Sequence, residues 1–458
     1  MIPKSPQPTL ARKQLMKKRL KWVGIVSLVP VVFVVAVLCY LGIQESIAAG
    51  ELKQKLTNIR QAGEPVDNES LARFFEGMSH KEGTEAWTEI LDLSQAVNSS
   101  VNYTSKLPIV GQGELPSPLI PGSDWADEAL VAEYLKEIRP VLKRLYQADS
   151  FPKPVWMPLA FDGIYTLLPQ IQESRSLARF LELDAMHALY HKDSDRALKD
   201  IVAMRSVADA FDWRFCLVTN LVNLAHLGLQ RNTIERSLAM NVWSEEQLSS
   251  LSEQVKQRYD VVDSWRQSFA GERAMAYSFL DNPAKRIAEM DNNPIARLPV
   301  LSSTRLALLA AYEELQHCAV AGEAGLLDRT KNVEQQLVST RFQVSIQNIY
   351  LGLLMPGIQA YASAFDRLET GRRFTLTSIA IKQYQLKNKR WPKSLSELTE
   401  VGLMLEDWTT TNHQTFGYEV DGEMAYAWSA DFSSMSVPKS RPKDLKADQV
   451  TVSVVSIR

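Results

Sequence analysis

His187 and His191 are four residues apart. On a helix that spacing puts both imidazoles on one face, with Asp184 a turn earlier as a third candidate ligand for a divalent metal. The zinc-protease pattern needs Glu directly after the first His, and Ala188 stands there instead. A histidine at a helix end is also favoured by the negative end of the helix dipole. His191 is therefore expected to cap a helix and His187 to pack; no metal is expected, and His187, His191 and Asp184 remain the candidates should one bind.

Other groups capable of chemistry are sparse. Asp193-Ser-Asp195 lacks the Gly and the later Glu of a calcium loop and reads as the cap of a following helix. Asp260, Asp263 and Glu272, followed by Arg273, fall on a helical stretch with Trp265, Phe269 and Tyr277. A pair of these carboxylates could do acid–base work if a cleft joined them; otherwise they form a solvated face or interhelical ion pairs. Gly-x-Ser-x-Gly, a phosphate loop and Cys-x-x-Cys do not occur, so neither a catalytic residue nor a cofactor is assigned.

The elements that must hold these residues are mostly helical. Apolar spacing gives three short helices between Glu45 and about Ser105, then a Pro- and Gly-rich linker to Gly122. A helix capped at Ser123 or Asp124 carries Asp127 and Glu128 in its first turn and breaks at Pro140. Residues 151–170, with four prolines, are expected to be irregular. From Ser176 two helices joined by His191–Asp195 make an antiparallel hairpin of the solenoid type, followed by a third from about Trp213 to Met240. No second copy of the hairpin recurs at a fixed period. Ser244-Glu-Glu-Gln247 is a capping box with Trp243 positioned to staple onto Leu248, and the helix it opens is expected to run past Phe269. Further helices cover about Ser303–Ala321 and Val333–Leu354, and another starts near Gln359. Beyond Gly371 come a helix over Phe374–Leu386, a short turn at Ser394–Leu398, and two strands around Asp421-Gly422, a strong hairpin signal. Gln449–Ile457 is a third candidate strand.

The 458 residues carry a net charge of −2, but the charge is uneven. Seven basic residues and no acid lie before Glu45, while residues 371–458 hold 12 basic and 10 acidic side chains. The stretch between is strongly acidic, which argues against nucleic acid as a partner. Residues 22–44 contain no formal charge and as a helix span about 33 Å, enough for a bilayer core. A cleaved signal peptide, with Ser46-Ile47-Ala48 before the cut, calls for an apolar region of about 7–15 residues, shorter than this one. The basic block places residues 1–21 in the cytoplasm by the positive-inside rule, with residues 45–458 outside it. Cys39 falls in the apolar segment. Cys216 and Cys318 allow one disulfide at most, and their apolar neighbours favour buried free thiols.

The expected fold is mainly α. A basic segment (1–21) and a transmembrane helix (22–44) precede juxtamembrane helices and linker (45–122), a solenoid-like body (123–370) and a small α+β module (371–458). In the last of these, Tyr384-Gln-Leu-Lys-Asn-Lys-Arg-Trp391-Pro392-Lys-Ser394-Leu395-Ser-Glu-Leu398 resembles the tail of type II secretion pseudopilins and of uncharacterised bacterial single-pass envelope proteins. There a long helix leads through a Tyr…Gly-x-Tyr-Pro-x-Ser-Leu-x-x-Leu segment into an antiparallel sheet. The resemblance covers about 70 residues and implies architecture only; no prepilin-peptidase site precedes the apolar segment, and Asp431 is the one nearby match for the calcium aspartates of some relatives. The functional expectation is a membrane-anchored extracytoplasmic scaffold or protein-interaction protein of the envelope, with the bilayer and an envelope protein as partners. The alternatives are an envelope hydrolase using helix-borne carboxylates or the His pair, and a secretion or pilus-like assembly component.

Overall fold

The computed structural model describes residues 10–100, 104–116, 119–157, 168–211, 213–284, 294–297, 299–320, 325–341, 357–430, 435–442 and 452–458, with a few isolated positions between them. The architecture is mainly α with a small carboxy-terminal α+β part, as the periodicity predicts. The amino-terminal helix departs from expectation. It is one helix, α1 (Leu10–Gln61), of 52 residues, or about 78 Å. The first juxtamembrane helix is thus the continuation of the apolar segment, because no proline falls between Gln44 and Leu52 and the single Gly50 is outweighed by the good helix formers around it. Val32, Phe33, Leu38, Leu41 and Ile47 are exposed, and this end is long and apolar enough to cross a membrane.

Beyond Glu45 the same helix docks on α11 (Ser302–His317). Leu52 and Ile59 bury against Leu309, and Lys55 pairs with Glu313. The Glu45 carboxylate accepts from the first amides of α11, at Ser302 and, at 3.4 Å, at Ser303. The first amides of a helix have no partner within the helix itself. Burial works against the charge of Glu45, yet the two amides hold its carboxyl below the ordinary range.

Two short helices follow, α2 (Asn68–Glu76) and α3 (Lys81–Ser100). Then Pro140 divides α4 (Glu128–Glu137) from α5 (Arg139–Leu145). The hairpin is α6 (Pro169–Tyr190) against α7 (Ser194–Ala210), with α8 (Leu217–Ser237) beside both. Helix α6 starts earlier than the apolar spacing suggests, because Pro169 is suited to the first turn of a helix. Ser244 and Gln247 form the expected capping box of α9 (Glu245–Lys256), and Trp243 and Leu248 share one core cluster. The expected long helix stops there. Gln257 is extended, and α10 (Val261–Asp281) begins anew with the Asp260 carboxylate accepting from the Asp263 amide. The strong cap at Asp260 favours the break where apolar spacing alone continues.

Helix α12 (Leu326–Arg341) covers the first part of the stretch expected from Val333; residues 342–356 lie outside the described set. The turn Asp291–Asn293, Asp431 and residues 449–451 lie outside it too. Helix α13 (Ile358–Asn388) runs straight through Gly371, so the 370/371 boundary falls inside one helix. Leu395–Val401 is a 3₁₀ turn. Strands β1 (Gly417–Asp421), β2 (Met424–Ala430) and β3 (Val452–Ile457) form an antiparallel sheet in that order. Ala425, Ala427, Val455 and Ile457 share one core with Met186, Leu189 and Ile201 of the hairpin and with Phe374 and Tyr384. Sheet and helical body are therefore packed through a common hydrophobic cluster. Cys216 and Cys318 are free and buried.

Candidate functional site

The two histidines do share a face, and both point at α4 rather than at Asp184. Glu128, the first residue of α4, places Oε1 3.0 Å from Nε2 of His187 and 3.0 Å from Nε2 of His191. The imidazole centroids are 4.6 Å apart, and Trp125 and Tyr190 wall the pair on one side. Among the described residues these three form the one group of His, Cys and carboxylate side chains that could hold a metal. Hydrogen bonds from the imidazoles, His191 first, hold the Glu128 carboxyl below its ordinary range. Burial pushes the His187 pKa down, so its ring is neutral near pH 7. His191 is the half-exposed C-cap of α6, as its position at the helix end predicts.

Asp184, expected beside the histidines, instead anchors a buried network. It is fully buried and accepts from Arg139 Nη1 at 3.4 Å and from Tyr146 Oη at 2.8 Å. Arg196 Nε stands 3.8 Å from its other oxygen. The Tyr146 hydroxyl also meets Asp200 Oδ1 at 2.8 Å. One hydroxyl proton cannot serve two carboxylates. Burial first, then the charge of Asp184, raises Asp200 well above the ordinary carboxyl range. Asp200 is thus the protonated partner, donating to Tyr146, which donates to Asp184. Arg196 links this network to the histidines, its Nη2 lying 3.1 Å from His187 Nδ1. The correction to the expected ligand set has a simple geometry: Asp184 is one turn from His187, but the inward face of α6 commits it to α5 and α7.

The carboxylates of α10 do not converge. Asp260 caps its helix. Asp263 pairs with Arg214 and Arg266. Glu272 accepts from the Leu217 amide at 2.9 Å, capping α8 from outside. Arg273 is buried against Glu64 and Gln316. Asp193, as expected, caps α7 by accepting from the Arg196 amide.

Burial raises the Glu272 pKa to about 6 from an ordinary 4.5, against the Leu217 hydrogen bond, which lowers it. A raised carboxyl pKa means that the folded state binds the proton more tightly. The stability it confers is full below pH 4.5 and is lost as pH rises through 6. Glu272→Gln keeps the acceptor and removes the titration. The variant should match the wild type in urea near pH 4.5 and exceed it by about 1–2 kcal/mol at pH 7.5; parallel curves at the two pH values would contradict the assignment.

A groove of about 910 Å³ lies elsewhere, between β3, the hairpin and the linker. Ile109, Leu115 and Leu119 form one wall, Met186 and Leu229 another, and Ser453–Ser456 the third. Among the described residues, β3 is an outer strand of the sheet and meets the groove along its unpaired edge. Asp421 and Met424 flank the hairpin loop, so Met424, Tyr426 and Trp428 bond to β1 and the residues between them bond to β3. Val454 and Ser456, opposite Trp428 and Tyr426, must then point their amides and carbonyls away from β2. The parity agrees with Arg458, whose N–H reaches out to the Leu238 carbonyl. Glu114, Glu182 and Glu235 stand around the groove against one cation, Arg236, which is 3.0 Å from Glu182.

No family model, curated protein or solved structure matches the chain.

Proposed function

We propose that the protein is a membrane-anchored scaffold of the cell envelope, with residues 1–21 cytoplasmic, and that its outer body holds an extended polypeptide in the groove beside β3. The reading rests on α1, which passes without a break from the apolar segment into the body and is locked there at Glu45 and Lys55. A rigid strut of this kind fixes the height and orientation of a binding face above a bilayer. The retained anchor is supported by the surroundings of Ser46-Ile47-Ala48, which lie inside the helix with Ala48 buried. The dispersal of Asp260, Asp263 and Glu272 into caps and ion pairs favours a scaffold over hydrolysis by those carboxylates.

An open strand edge recognises another strand through main-chain hydrogen bonds, and the pockets beside it read alternate side chains. With three carboxylates against one arginine, the groove suits a segment carrying basic and apolar residues. A photo-crosslinking residue in place of Asn232, an exposed residue of the groove wall, should give an adduct of discrete mass in the native membrane. One at Glu253, exposed on α9, should not. Ser456→Pro removes one outward-facing amide and no ladder bond, and should abolish the adduct. An adduct that survives Ser456→Pro, or none at position 232, would sink the groove reading. Retention in the alkali-washed membrane after loss of residues 1–44 would sink the anchor.

A further inference from the structure

We propose that Glu128, His187 and His191 form a zinc-class divalent metal site, and that Arg196 is the gate that sets its affinity. Two imidazole nitrogens and one carboxylate oxygen match the donor set of a three-ligand zinc centre, with a fourth position left to solvent. The spacing is already close to that required. Ligand atoms bound at about 2.0–2.1 Å in a tetrahedron lie ~3.3 Å from one another, and here Glu128 Oε1 is 3.0 Å from each Nε2. All three ligand atoms fall within 4.8 Å of one another. A metal would enter by lengthening the two Glu128 contacts a few tenths of an ångström and drawing the two imidazole nitrogens, within 4.8 Å of each other, toward ~3.3 Å. The half-exposed His191 ring leaves the route open to solvent.

The gate follows from the tautomer. Arg196 Nη2 donates to His187 Nδ1 at 3.1 Å, which leaves Nδ1 bare and puts the ring proton on Nε2, facing Glu128. A metal needs the opposite arrangement, with Nε2 bare and the proton on Nδ1. On binding, that proton passes from Nε2 to Nδ1 through solvent, and two N–H groups would then meet unless Arg196 turns away. It has somewhere to turn. Arg196 Nε and Asp184 Oδ1 are buried, lack hydrogen-bond partners among the described residues, and lie 3.8 Å apart. Asp193 Oδ2 is a further acceptor at 3.8 Å. Metal binding would close the Arg196–Asp184 gap and so couple the site to the buried network behind it.

Titration of the full-length protein in detergent with zinc chloride alone should give saturable one-to-one binding, and cobalt chloride should give the visible absorption of a four-coordinate centre. Glu128→Gln and His191→Gln should each weaken zinc by about tenfold or more. Both positions are solvent-accessible enough for the fold to persist, which an unchanged helical circular dichroism spectrum checks. Arg196→Met keeps the aliphatic stem and removes the donors, and should tighten zinc severalfold. No saturable binding in the wild type, or binding undiminished in His191→Gln, would overturn the site; weaker binding in Arg196→Met would overturn the gate.

Discussion

Asp184→Ala should lower the stability of the helical body by about 3–5 kcal/mol, a fall of about 6–20 °C in Tm on the scale for domains of 150–250 residues. The carboxylate has no exposed surface and ties α6 to two other helices at once: α5 through Arg139 and its C-cap Tyr146, and α7 through Arg196. Its removal leaves the Tyr146 hydroxyl to find a new acceptor and strips two cations of their buried counter-charge. The loss belongs at the lower end of the range, because Arg139 and Arg196 keep 32% and 24% of their side-chain surface in water and can rehydrate. Asp200 offers further relief. With its charged neighbour gone, the second cause of its raised pKa disappears, and Tyr146 can donate to it instead. Asp184→Asn, which keeps volume and one acceptor, should lose roughly half as much. Thermal unfolding followed by circular dichroism decides this, and a Tm within about 2 °C of the wild type would show that apolar packing alone holds the hairpin.

Much of this arrangement was legible in the chain, and the parts that were not share a cause. Period and caps located the α6–α7 hairpin, the Pro140 break, the Ser244 box and the Asp421-Gly422 turn, because each depends on residues within one helical turn or one hairpin. The missed continuities at Glu45 and Gly371 and the missed break at Gln257 are of another kind. A change in polarity looks like an element boundary, yet α1 turns from an exposed apolar surface to a protein-facing one without altering its backbone. Gly371 is tolerated within α13, where it packs against the Arg231 guanidinium. The candidate site divides in the same way. His187 and His191 were legible from their spacing, and Glu128 was visible only as a helix-start acid. Nothing local marks that α4 crosses α6 at the histidines, or that Tyr146 lies between Asp184 and Asp200. Both facts depend on how α4 and α5 fold back on the hairpin.

Gly271→Ala should cost about 2–3 kcal/mol, although helix propensity by itself predicts a gain of about 1 kcal/mol for the same change in mid-helix. The difference lies in what a methyl group would meet. A Cβ at Gly271 would sit 1.8 Å from the carbonyl oxygen of Phe215, well inside van der Waals contact, so one backbone must move by more than an ångström. Neither side yields readily. The Phe215 ring is wedged among Phe75, Trp156 and Phe161, with centroids 5.0–6.0 Å away. Thr219 ties down the same turn by donating to the Trp213 carbonyl at 2.6 Å, and Leu217 is held by Glu272, the residue after the glycine. Overpacking in such a close-packed site forces strain into neighbouring groups. Gly50 in α1 supplies the opposite case. It is exposed, and a Cβ there meets nothing within 4 Å, so Gly50→Ala should leave stability unchanged or raise it by up to ~1 kcal/mol. Measured side by side in urea, the two variants should move in opposite directions. A Gly271→Ala protein as stable as Gly50→Ala would mean that α10 does not approach the Trp213–Phe215 turn as closely as described, and with it would fall the placement of Glu272 at the start of α8.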